Sequence, residues 1–225
     1  MESRWPGESG FCGLLGGGAY NTGRLDRALR HSRPSAIAYT ASQTTDRQGP
    51  MIQLLHADVL DAHAGALLLT IDGQAKGLRG NLAHAFQRRW PEAYEDFESQ
   101  LRFPVPLGTA VRVDADTDCP WRTILFVSTL HHVETLDTAG KLAVIQRALG
   151  SALQIAARTS LRTLATAPMK GGWRLTTPEA YHTMYETWLG SPLYRSGGAL
   201  LVCCLDATEY QSLVDEHQRL VARRI

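Results

Sequence analysis

Hydrophobic and polar positions divide the chain at about residue 50. Before it, Gly7, Gly10, Gly13, Gly16, Gly17, Gly18 and Gly23 punctuate a stretch with one helical candidate, over 25–30. A polar tract over 42–50 then reads as a linker. After it, apolar runs alternate with helical spacings. The segment 51–55 reads as a strand. The run 65–71 is continuously apolar, the mark of a strand covered on both faces, and 123–129 and 198–205 repeat that pattern. Shorter strands are expected over 108–113 and 161–167. A helical stripe of Leu82, Ala85, Phe86 and Trp90 starts near Asn81, and Pro91 interrupts it. Leu142, Ile145, Leu149, Ala152 and Ala156 fall on one face of a helix over 141–157. Thr177-Pro178-Glu179 is a helix start, with a hydroxyl cap, an early proline and an acid near the positive end. Asp206 to Glu209 opens a closing helix that carries Leu213, Val214 and Leu220. The acid-rich segment 92–98 reads as a solvated face. This alternation predicts an α/β fold, a three-layer sandwich over 51–225, with a glycine-rich N-terminal extension over 1–50.

In such sheets ligands sit beyond the carboxyl ends of the strands. Two glycine-bearing loops, 72–80 and 168–173, fall at such ends. A strand–loop–helix unit offers free backbone N–H groups and a positive helix end to an anion, and glycine lets the backbone come close. Gly73, Gly77 and Gly80 suit that task, and so do Gly171 and Gly172. Two such loops facing one crevice would grip linked phosphates from both sides; plain turn glycines are the alternative. No Gly-Lys-Ser/Thr follows either loop, which argues against a P-loop nucleotidase. Asp58 ends the first strand, where a carboxylate accepts from an exocyclic amine or a ribose hydroxyl, or else caps a turn. Asp72 orders the first loop or points at a sugar. Trp173 stacks on a base or packs over its own loop.

Composition narrows the field. Lys+Arg 23 against Asp+Glu 22 leaves a net charge of +1, which disfavours nucleic-acid binding through bulk charge. An apolar fraction of 44% with 20% charged residues is that of a globular chain, not a disordered one. No run approaches the ~20 apolar residues of a membrane span, and the N-terminus lacks a signal-peptide pattern. Cys12, Cys119, Cys203 and Cys204 form no metal or disulfide spacing, so a reducing cytoplasm is expected. His131 and His132 follow the strand over 123–129, and since adjacent residues of an extended chain face opposite sides, they are not expected to share an ion. No metal and no cofactor is expected. Ser128 and Ser160 lack a nucleophile elbow, and Cys119 has no evident base.

From about Met51 to Val221 the chain resembles a macrodomain, the fold that binds ADP-ribose. The resemblance is carried by 55–60 (Leu-His-Ala-Asp-Val-Leu), 66–72 (Ala-Leu-Leu-Leu-Thr-Ile-Asp), 80–94, 165–172 (Ala-Thr-Ala-Pro-Met-Lys-Gly-Gly) and 201–206 (Leu-Val-Cys-Cys-Leu-Asp). It implies a mixed central sheet. It implies an adenine contact at Asp58, with Val59 beside it, and a first ligand loop with Asp72, Gly73, Gly80 and Asn81. A second loop with Met169, Lys170, Gly171, Gly172 and Trp173 wraps the diphosphate, and Leu205 flanks the adenine. The segment 80–94 is nearest to the branch that removes ADP-ribose from acidic residues or from DNA. Leu69 stands where many active members carry Asn, and the first-loop glycines are spread out. His131 falls at the related branch's lysine position, and Arg174-Leu175 stand near its aspartate. Neither standard catalytic set is intact, so the resemblance implies binding more firmly than catalysis. Asp72 and His131 are the candidate catalytic residues. Three readings follow: a binder of ADP-ribose or of ADP-ribosylated protein or nucleic acid, an ADP-ribosyl hydrolase of unusual make-up, or a non-catalytic interaction module whose ligand site has decayed and whose residues 1–50 hold a protein partner.

Overall fold

The apolar runs become the strands of one six-stranded sheet. The structure, a computed structural model, describes residues 51–78, 80–170 and 175–224. The expected extension 1–50 and the loop residues Gly171, Gly172, Trp173 and Arg174 lie outside the described residues. The strands are β1 Met51–His56, β2 Ala66–Asp72, β3 Ala110–Asp114, β4 Thr123–Leu130, β5 Thr163–Thr166 and β6 Ala199–Cys204. Their order across the sheet is β1-β6-β5-β2-β4-β3. Every neighbouring pair is parallel except β3 with β4, so the sheet is mixed, with its antiparallel strand at one edge.

Side-chain alternation explains why the long runs are apolar at every position. Leu67, Leu69 and Ile71 of β2, with Ile124 and Phe126 of β4, face one side of the sheet. They meet Ala83 and Phe86 of helix α1 (Asn81–Arg89) and Ala93, Tyr94 and Phe97 of α2 (Pro91–Ser99). Ala66 and Leu68, with Leu125 and Val127, face the other side. There they meet α3 (Thr138–Arg158), α4 (Thr177–Leu189), α5 (Pro192–Arg195) and α6 (Ala207–Ala222). A strand clad on both faces has no solvent side, and each fully buried Leu or Phe contributes about 1.5–3 kcal/mol of transfer free energy. The result is the three-layer α/β/α sandwich expected from the sequence.

Three local expectations are corrected. The acidic segment 92–98 is helix α2, and Tyr94, Phe97 and Glu98 are buried on its inner side. Its acids mask an i, i+3 apolar stripe that packs on Phe86. Helix α3 begins at Thr138, capped by the Asp137 side chain, which accepts the Gly140 N–H. Helix α4 is capped by Thr176 rather than Thr177. Its hydroxyl accepts from the Glu179 N–H while the Glu179 carboxylate accepts the Thr176 N–H, a complete capping box. The hydrogen bonds to Glu179, the Thr176 hydroxyl's first, hold its carboxyl below the ordinary value.

Candidate functional site

Because β1, β6, β5, β2 and β4 run parallel, their carboxyl ends open on one edge of the sheet. The segments that leave those ends follow one another in sheet order. They carry Asp58 and Val59, then Leu205, then Met169 and Lys170, then Asp72 and Gly73, and last His131 and His132. Four inter-strand steps make this row about 19 Å long. Every described residue expected at the site lies along it or at the helix start just beyond.

At the β1 end, Asp58 is half-buried. Its Oδ1 accepts the Leu60 N–H at 2.9 Å and caps a 3-10 turn over Val59–Asp61. Its Oδ2 has no hydrogen-bond partner among the described residues. Val59 is buried beneath this turn. The Ala57 N–H donates to the Cys204 carbonyl, which ties the turn to the end of β6. Leu205 follows, with 72% of its surface exposed, an unusual outlet for a leucine in a row of strand ends. His56 sits beside it, with Nε2 at 3.2 Å from the Leu205 carbonyl and its ring stacked on Tyr210 at 5.1 Å. Beneath this corner, burial and then the charge of Asp58 push the Cys203 thiol up to about 12. Burial and then Glu209 raise Cys204 as well. Both thiols stay protonated at neutral pH and are poor nucleophiles.

The loop after β5 is held from two sides. Met169 is buried, and its N–H donates to the Met184 sulfur at 3.3 Å. Lys170 pairs with Glu209 on α6. Met169 thus belongs to the floor of the loop, and Lys170 is its first charged group at the edge.

The loop after β2 is built differently. A Cβ on Gly73 would lie 2.2 Å from the Ser128 hydroxyl and 2.4 Å from the Val105 carbonyl oxygen, so only glycine fits. The Gly73 N–H donates to the Leu130 carbonyl, and its own carbonyl accepts from Val105. Its backbone is therefore committed inside the protein, and the glycine serves close packing. Gly77 has φ +86°, and its N–H donates to the buried Glu98 carboxylate, which also accepts from the Tyr94 hydroxyl. Gly80 is the N-cap of α1 and supplies no side-chain cap, and Asn81 at the positive helix end is exposed. Leu69, one strand turn back, is fully buried toward α1 and α2.

The first loop and the segment after β4 meet at Asp72. This carboxylate is 4% exposed. Its Oδ1 accepts the Gln74 N–H at 3.0 Å, and its Oδ2 accepts both the His132 N–H at 3.1 Å and, at 3.2 Å, the His132 ring at Nδ1. A slip in the β2–β4 pairing precedes the contact: Ile71 lies opposite Ser128, but Asp72 lies opposite Leu130. The extra residue in β4 re-aims everything after it, as bulges beside functional sites do. His131 turns the other way, and its Nε2 donates to the Val105 carbonyl at 3.0 Å. Both histidines follow β4, and the tertiary structure joins the second to Asp72. The signals missed were Val105, which both loops use, and Glu98.

No group of three or more His, Cys, Asp or Glu residues able to hold a metal ion occurs among the described residues. No described helix is long and apolar enough to cross a membrane.

No protein-family model and no curated protein matches the sequence. Solved structures do match in shape. The macrodomain of Thermus aquaticus DarG superposes with a TM-score of 0.55 at 20% identity, over 69% of this chain and 99% of its own. A point mutant of the Oceanobacillus iheyensis macrodomain gives 0.65 at 14% identity, over 76% and 93%. Another mutant of that protein, solved with ADP-ribose, gives 0.58 at 12% identity, over 76% and 94%. The topology, the three layers and these superpositions together establish that the chain has the macrodomain fold.

Proposed function

We propose that the protein binds ADP-ribose, free or attached to a protein or nucleic acid, along the carboxyl edge of its sheet. The observation that supports this most is the order of groups along that edge. An acid with one oxygen unpaired among the described residues (Asp58) and an exposed apolar side chain (Leu205) stand at one end, suited to the amine and face of an adenine. Next come the loop of Lys170 and the uncapped start of α1 at Gly80 and Asn81, which suit a diphosphate. Asp72 and the histidines stand at the far end, where a distal ribose would fall. A macrodomain of the same fold has been solved with ADP-ribose. In this reading Gly171, Gly172 and Trp173 complete the second loop over the diphosphate, and Gly73 contributes by its packing rather than by its N–H. Residues 1–50 are assigned to a protein partner. The free thiols Cys119, Cys203 and Cys204 favour a reducing compartment, the cytoplasm.

Calorimetry with ADP-ribose tests this reading. Saturable binding is expected, and Gly172→Glu should abolish it by adding bulk and negative charge beside the phosphates. An absence of heat with the wild-type protein at high micromolar concentration would overturn the reading. Retained affinity in Gly172→Glu would overturn the place given to the second loop.

A further inference from the structure

We infer that the contact between helices α4 and α6 is a proton-sensitive latch on the second loop, which weakens ADP-ribose binding as pH falls, with His217 as the titrating residue. The inference rests on the proposed binding of ADP-ribose and extends it to regulation.

Both helices hold the start of the second loop. Buried Met169 is tied to α4, since its N–H donates to the Met184 sulfur at 3.3 Å. Lys170 is tied to α6 through its pair with Glu209. The placement of these two residues therefore depends on how α4 and α6 stand against each other. Polar contacts join the helices farther along. The Tyr181 hydroxyl of α4 is hydrogen-bonded with Nδ1 of His217 on α6 at 2.8 Å. Nδ1 of His182 on α4 lies 3.5 Å from the Glu216 carboxylate on α6, and Glu186 on α4 pairs with Arg224, just past α6, at 2.6 Å. Tyr181 and Met184 are both buried and stand three residues apart on α4, on one side of the helix. A shift at Tyr181 thus reaches the residue that holds Met169.

His217 is the weak point of that contact. Its ring is half-buried, with its centroid 6.0 Å from that of Tyr181 and 5.6 Å from that of Tyr185. Burial holds its proton affinity below the ordinary value of 6.5. Burial, then the charges of Tyr185 and Glu216, push Tyr181 the other way, so its hydroxyl stays neutral and cannot balance a charge on the ring. Glu216, the neighbour in sequence, already pairs with Arg219 and His182. Strands β1 and β6 also pack on α6, but their titratable groups lie at its far end. There His56 stacks on Tyr210, Cys204 lies by Glu209 and Cys203 by Asp58. A second proton on His217 therefore puts an unbalanced charge between α4 and α6. The docked helices bind that proton less readily than loosened ones, in which the ring meets water. Falling pH shifts the population toward the loosened arrangement, and ADP-ribose, which needs Met169 and Lys170 in place, binds less tightly.

Calorimetric titration of the full chain with ADP-ribose at about pH 7.5 and about pH 5.5 is the test. The ligand's diphosphate stays ionised and its adenine neutral over that range. Wild-type affinity should fall by about 5-fold at the lower pH. His217→Gln, which keeps a polar group but takes up no proton, should change by less than about 2-fold. His56, His131 and His132 remain in both proteins, so their titration cancels in the comparison. His182→Gln, on the neighbouring contact, should keep the wild-type fall. By reciprocity, saturating ADP-ribose should lower the pH at which the His217 ring protonates, followed in the wild-type protein by nuclear magnetic resonance. Equal wild-type affinity at both pH values would overturn the latch, and so would a midpoint of His217 that the ligand leaves unmoved. The same fall in His217→Gln as in wild type would overturn the choice of residue. A fall that accompanies loss of the whole fold, seen by circular dichroism, would overturn the latch as a local device. Failure to bind at the higher pH would overturn the binding reading and the latch with it, whereas binding without pH dependence would leave the binding reading standing.

Discussion

The two glycine-bearing loops occupy adjacent strand ends yet are held by opposite means. The loop after β2 is anchored from below. Gly73 lies against Ser128 and Val105, Gly77 donates to buried Glu98, and Asp72 gathers three donors while almost fully buried. The loop after β5 is anchored at its borders. Buried Met169 sets its floor, Lys170 pairs with Glu209 in partly exposed surroundings, and the Thr176–Glu179 box closes its far side. Residues 72–74 and 77 of the first loop are tied into the core, whereas Lys170 and Thr176, at the borders of the second, hold to helices α6 and α4. Glycine in the first loop answers to close packing, so a glycine-rich loop is not by itself a ligand cradle.

That contrast can be broken by substitution, and the effects should fall in order. Gly73→Ala should cost the most, about 3 kcal/mol in denaturant unfolding, since its methyl group meets two fixed oxygens. Little change would mean that the first loop yields freely and the contrast fails. Glu98→Ala should cost about 2 kcal/mol, because the Gly77 N–H and the Tyr94 hydroxyl lose a buried acceptor. Thr176→Ala, on the second loop's side, should cost about 1 kcal/mol through loss of the cap. Lys170→Met should cost about 0.5 kcal/mol or less, since its pair is partly exposed and screened. If Lys170→Met were as damaging as Glu98→Ala, the second loop too would count as part of the core.

The smallest effect concerns pH and the helix that the second loop leads into. The Tyr181 hydroxyl on α4 is hydrogen-bonded with Nδ1 of His217 on α6 at 2.8 Å. Burial lowers the affinity of His217 for a proton below its ordinary value. The unfolded chain therefore binds that proton more readily than the folded one. The contribution is complete above the ordinary value of 6.5 and is lost as pH falls through the lower folded value. Thermal unfolding measured across that window should show a decline that His217→Gln flattens. An unchanged slope would separate the α4–α6 contact from any role of His217.

Much of the fold was legible in the sequence because burial on both faces leaves a plain mark. The runs of β2, β4 and β6 are apolar without interruption, and the stripe of α3 has one spacing only a helix satisfies. Helix α2 was not legible, because Glu92, Glu95, Asp96 and Glu98 obscure the residues that pack. The candidate site was legible as a set of strand ends, since chain order and parallel pairing bring those ends to one edge. Its internal wiring was not. Nothing local in His131-His132 tells which ring meets Asp72, 60 residues away in sequence. Nor does Gly73 announce that Ser128 and Val105 will crowd it.

Sequence alone therefore determined the layers, the buried strands and the edge at which the parallel strands end, because hydrophobic periodicity and chain direction are local properties. Tertiary structure alone decided which residues at that edge touch. The one-residue slip between β2 and β4 turned His132 onto a buried carboxylate and His131 onto a carbonyl. Such a choice depends on packing between distant segments, and no single segment encodes it.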